Sequence, residues 1–127
     1  MTQAKQQKIP GPDHPITVEP NPSRVVVKVG GQVVADTTRS QALYEAGYPA
    51  VQYIPREDVD LSGFARTEHE TYCPYKGNAS YYSITSLGAD GDNAVWTYEA
   101  PYDAVAEIKD HLAFYPNKVT VEEVPAD

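Results

Sequence analysis

Between residues 24 and 36 the chain alternates with a period of two. Val25, Val27 and Val29 fall on one side, and Arg24, Val26 and Lys28 on the other. Gly30-Gly31 then separates this run from Gln32-Val33-Val34-Ala35-Asp36, which predicts a hairpin closed by a primed turn. No helix start or GxxxxGK[ST] pattern follows these glycines, so they do not read as a phosphate loop. Further strands are expected over residues 14–18, 48–55, 66–73, 79–85, 94–98 and 119–124. Residues 40–46 fit a helical turn or a strand, and residues 56–61 a turn or short 3₁₀ segment. Residues 86–93 read as a flexible polar loop. Pro101 and Asp103 open one short helix, carrying Val105, Ile108 and Leu112 at 3.6-residue spacing and His111 at its end. Seven or eight short strands and little helix predict an all-β, mainly antiparallel fold, a sandwich or open barrel.

Composition bounds this picture. The 127 residues suffice for a single domain over 14–127, preceded by a loose arm over 1–13. Prolines at 10, 12, 15, 20 and 22 keep the start of the chain out of helix and protect an edge strand from pairing with another chain. A single cysteine excludes an internal disulfide and any zinc site of two or more thiolates. The net charge of −8 argues against nucleic acid or an anionic membrane as partner. The start is polar and no apolar run approaches a membrane span, so a cytoplasmic protein is expected, monomeric or homodimeric.

Candidate chemistry begins at Cys73. A thiolate nucleophile needs an imidazole, a cation or a helix N-terminus beside it, which His69, Lys76 or His111 could supply. On a regular strand His69 would stand about 13 Å from Cys73, leaving His111 as the candidate base and Lys76 as the candidate charge. The alternative is a small buried hydrophobe at a strand end. Arg56, between Pro55 and Glu57-Asp58, could hold an anion or form an internal ion pair. Lys76, before Gly77-Asn78, could join an anion nest or simply serve a turn. Ten tyrosines against two phenylalanines bring many hydroxyls that need partners. Tyr81 and Tyr82 face opposite sides of a strand, as do Tyr72 and Cys73, so adjacent strands could bring one tyrosine from each pair, with Trp96 and Tyr98, onto one wall. No HxH, HxxxH, HExxH, GxSxG or dinucleotide fingerprint is present, so neither a metal nor another cofactor is expected. The carboxylate pairs Glu68/Glu70 and Glu122/Glu123 read as solvated faces.

Four stretches carry a resemblance: Tyr53-Ile54-Pro55-Arg56-Glu57-Asp58-Val59, residues 71–82 around Cys73-Pro74-Tyr75-Lys76-Gly77, residues 94–101 around Trp96-Thr97-Tyr98, and Ala113-Phe114-Tyr115. In that order, over about residues 14–124, the chain resembles the bacterial family known as domain of unknown function 427. The resemblance implies an Mss4-like, or β-tent, arrangement of two antiparallel sheets. Methionine-R-sulfoxide reductases and the ligand-binding domain of cereblon share that architecture. Many such proteins hold zinc on two Cys-x-x-Cys pairs; with one cysteine, hydrophobic packing should replace the metal here. A nucleotidyltransferase-like label attaches to the family, but no carboxylate–metal pattern in this chain supports it. By motif, Arg56, Asp58, Cys73, Tyr75, Lys76, Gly77, Trp96, Tyr98 and Tyr115 are the residues the resemblance points to.

These readings converge on a small-molecule-binding domain with an aromatic pocket between two sheets. Its expected lining is Arg56, Tyr75, Lys76, Tyr81, Trp96, Tyr98 and Tyr115. Two alternatives stand beside it: a cysteine-dependent enzyme using Cys73 and His111, and a structural or protein-interaction module presenting tyrosines.

Overall fold

The computed structural model describes residues 6–125. Residues 1–5 of the expected arm, and 126–127 of the expected domain, lie outside the described residues. The strands are β1 (Ile16–Pro20), β2 (Arg24–Val29), β3 (Gln32–Thr37), β4 (Gln41–Glu45) and β5 (Val51–Pro55). After these come β6 (Phe64–Cys73), β7 (Gly77–Ile84), β8 (Val95–Thr97), β9 (His111–Phe114) and β10 (Thr120–Val124). Every strand pair is antiparallel. Seven strands form one sheet in the order β1-β4-β5-β9-β8-β7-β6, and three form the other, β10-β2-β3. The fold is all-β, with two sheets and no closed barrel.

The period-two run becomes β2, and its buried valines Val25, Val27 and Val29 face the large sheet. Gly30 and Gly31 both take positive φ, as a primed turn requires. Opposite the valines stand Ile54, Tyr82, Val95, Leu112 and Phe114, closing the main core. Fully burying each aliphatic side chain contributes about 1.5–3 kcal/mol. The large sheet also buries part of its other face. There Leu43, Tyr53, Tyr81 and Tyr98 pack with Val105 and Ile108 of a 3₁₀ turn, Asp103–Ile108. A strand buried on both sides loses its alternation: in β5, Tyr53 joins one core and Ile54 the other.

Three expectations change. Among the described residues ten strands form rather than seven or eight, because residues 40–46 supply β4 and residues 111–114 supply β9. The short helix does not reach His111. It is a 3₁₀ turn broken at Val105 (φ −129°, ψ 32°), and Asp110 turns the chain at φ 57° into β9. A spacing of three places Val105 and Ile108 together as well as a helix would, while Leu112 belongs to the opposite core. Residues 86–93 are not a featureless loop. As far as Gly91 they lie in 3₁₀ geometry, kinked at Gly88, with Leu87 packed on the main core, and in the turn that follows the Asn93 amide donates to Ser83 Oγ at 3.0 Å.

Within this segment Gly91 is buried, and a Cβ there would run into the Ile84 carbonyl oxygen. Gly91→Ala should therefore cost about 1–3 kcal/mol in urea denaturation. Gly63→Ala, with open space around it, should leave the midpoint unchanged. Among the described residues no helix is long and apolar enough to cross a membrane.

Candidate functional site

β5 and β9 pair only at Ile54–Leu112 and Pro55–His111. Two steps further, Gln52 and Phe114 would face each other if pairing continued. Instead both border a cavity of about 350 Å³. Beyond β9 the Tyr115 amide donates to the Ala94 carbonyl on the β8 side, and Pro116 has no amide to offer. The small sheet contributes Val27 and Val121, the large sheet Ile54, Phe114 and Trp96, and Tyr48, Pro49 and Ala50 frame the mouth. Among the described residues no charged side chain lines this space, and the one side-chain amide that does is Gln52. The Gln52 oxygen accepts hydrogen bonds from Ser40 Oγ at 2.7 Å and Asn21 Nδ2 at 3.0 Å.

Trp96 connects the cavity to an aromatic layer on the far face of the sheet. Its indole N–H donates to the Tyr53 hydroxyl at 3.2 Å, and its ring lies 4.6 Å from that of Tyr115. Beyond them stand Tyr98, 6.4 Å from Tyr53, and Tyr81, hydrogen-bonded to the Thr71 hydroxyl at 2.8 Å. The β6 ladder skips residues 67–69 against one residue of β7, and this irregularity carries His69 to 4.5 Å from the Tyr81 ring. Burial pushes the Tyr53 and Tyr98 phenols far above their usual range, so both stay neutral and neither serves as a base near neutral pH. Of the seven side chains expected to form the pocket, only Trp96 borders the cavity.

Cys73 ends β6, half-buried against this aromatic layer. His111 bonds through Nδ1 to the Lys109 carbonyl at 2.8 Å, and no hydrogen bond joins it to Cys73. The thiolate–imidazole couple is thus not formed in this structure.

Lys76 and Tyr75 do different work from that expected of pocket residues. Lys76 Nζ donates to Glu45 Oε1 at 2.8 Å, and Glu45 Oε2 bonds His14 Nε2 at 2.7 Å. The His14 ring stacks on Tyr75 at 4.2 Å and 11°. Along the same edge, the Lys8 amide donates to the Pro74 carbonyl at 2.8 Å, and the Tyr72 hydroxyl to the Gln6 carbonyl at 2.9 Å. The described part of the arm, 6–13, is therefore tied to the β6–β7 turn.

Burial alone would raise the Glu45 pKa, but hydrogen bonds from Lys76 and His14 outweigh it and hold it below the ordinary 4.5. A depressed carboxylate stabilises the clasp above 4.5 and loses that contribution as pH falls through the lower folded value. In amide NMR, the Lys8 resonance should show an inflection below pH 4.5 that disappears in Glu45→Gln. An inflection that persists in the variant would assign the titration to another group.

Arg56 donates to the Tyr82 hydroxyl at 2.9 Å, with its guanidinium 5.6 Å from the ring centroid. The neighbouring Glu57 and Asp58 pair with Arg39 instead, at 3.2 and 3.1 Å. Arg56 does not border the cavity. Among the described residues no cluster of His, Cys, Asp and Glu could hold a metal ion.

A family model described as "Domain of unknown function (DUF427)" matches residues 17–125. The chain belongs to this family. No curated protein matches it. The motifs that carry the DUF427 likeness divide in space: Lys76 and Tyr75 hold the arm, Arg56 braces Tyr82, and Trp96 reaches the cavity. Sequence reasoning missed Tyr48, Pro49, Ala50, Gln52, Pro116 and Val121 in this DUF427 chain. A faint signal existed in Tyr48-Pro49 and Tyr115-Pro116, where prolines stop two strands from continuing their ladders.

Proposed function

We propose that this protein binds a small organic molecule in the cavity where β5 and β9 part, with Trp96 as an aromatic wall. The observation that carries this is the cavity itself, about 350 Å³ bounded by apolar side chains from both sheets. Ligand sites occupy roughly 300–1,000 Å³ and combine apolar walls with few polar groups. The resemblance to β-tent proteins, among them the ligand-binding domain of cereblon, supports the reading by analogy of fold alone.

Trp96 is the only tryptophan, so its fluorescence reports on the site without background from others. Titration with a set of neutral one- and two-ring aromatic compounds should give a saturable change in Trp96 emission for at least one of them. If every compound leaves the emission unchanged up to its solubility limit, this reading fails.

A further inference from the structure

We infer that the ligand is a neutral molecule with an apolar body and one oxygen, of carbonyl or amide type, which accepts a hydrogen bond from Gln52 Nε2. This rests on the cavity reading above and adds the chemistry of the ligand.

A chain of hydrogen bonds fixes the orientation of Gln52. The Ser23 backbone N–H can only donate, and it reaches Asn21 Oδ1 at 3.0 Å. Asn21 must then turn its amide nitrogen the other way, where it donates to Glu123 Oε1 at 2.7 Å and to Gln52 at 3.0 Å. The Gln52 atom facing a donor has to be the oxygen. The fully buried Ser40 hydroxyl donates to the same atom at 2.7 Å. With its oxygen doubly held, Gln52 presents its Nε2 group elsewhere, and no protein atom among the described residues accepts from it. No fully buried side-chain polar atom among them lacks a partner, so this nitrogen is accessible, on a residue that borders the cavity.

The remaining groups narrow the choice. The Trp96 N–H is committed to Tyr53, which leaves two side-chain donors, Gln52 Nε2 and the hydroxyl of the exposed Tyr48 at the mouth; the hydroxyl can donate or accept, whereas Nε2 can only donate and so selects an acceptor. No lysine or arginine among the described residues lines the space, and the Glu123 carboxylate is bound to the same asparagine that holds Gln52. A carboxylate or phosphate would meet no countercharge there and one nearby negative charge, so a neutral acceptor is favoured.

The test uses acetophenone, ethylbenzene and benzoate with the full chain, following the Trp96 indole and Gln52 side-chain amide resonances by NMR. Acetophenone should shift both sets, and ethylbenzene only the indole. Gln52→Glu, whose carboxylate can still accept from Ser40 and Asn21, should weaken acetophenone binding about threefold to tenfold and change ethylbenzene binding by less than about twofold. Gln52→Met, an uncharged second variant, should show the same selectivity. If the two ligands are affected alike in both variants while the Trp96 shift persists, the inference is overturned and the cavity reading stands. Benzoate binding as tightly as acetophenone would overturn the neutral-ligand claim. If neither aromatic moves the Trp96 resonance, the cavity reading falls and takes the inference with it.

Discussion

Val121→Trp should weaken acetophenone binding by at least about tenfold, equivalent to about 1.4 kcal/mol. Val121 pairs with Val27 across β10 and β2 and projects from the small sheet onto the cavity wall. A strand accommodates a large aromatic readily, and the indole would occupy the space the ligand needs. Filling a void also restores lost contacts, so the variant should be as stable as the parent or gain up to about 1–2 kcal/mol. Ligand-observed NMR avoids the ambiguity of a second tryptophan. Val33→Trp, at an exposed position of β3, is the control and should bind normally. Unchanged affinity in Val121→Trp would place the ligand outside the cavity.

The second large effect is structural. Glu45→Leu should cost about 2–3 kcal/mol in urea denaturation, because it leaves the Lys76 ammonium without its carboxylate in a poorly solvated place. The side chains of Lys76 and Glu45 are only 14% and 19% exposed, which separates this pair from an ordinary surface bridge. The double variant Glu45→Leu/Lys76→Leu should recover at least half of the loss, since a buried pair replaced by apolar groups no longer strands a charge. A loss below about 0.5 kcal/mol in the single variant would show the clasp to behave as a surface pair.

The parts of the fold that were legible are those whose signal is local. The β2–β3 hairpin needed only the valine alternation and Gly30-Gly31, and both glycines have the expected positive φ. β9 was harder because both its faces are buried, Leu112 and Phe114 in one core and Ala113 in the other, which erases the alternation that marks a strand. In residues 101–112 a spacing of three or four could not separate a 3₁₀ turn from a helix, nor show that Leu112 packs in a different core from Val105.

A wall of Trp96, Tyr98 and one of Tyr81 and Tyr82 was legible; the structure makes Tyr81 the cross-strand partner of Trp96. Its position was not, because a sheet buried on both faces offers two places for such a wall. Most of the expected tyrosines took the face away from the small sheet. Lys76 and Glu45 stand 31 positions apart, and Gln52 owes its orientation to Asn21 and Ser40. No motif spacing encodes contacts of that kind; the sheet order creates them.

Intermolecular nuclear Overhauser effects between acetophenone and the isotope-labelled protein test the binding site most directly. Contacts from the phenyl protons to the Trp96 indole, the Phe114 ring and the methyl groups of Val27 and Val121 are the expected result. Contacts confined to Tyr81, Tyr98 and the rest of the outer aromatic layer, or none at all, would contradict a ligand site at the parting of β5 and β9.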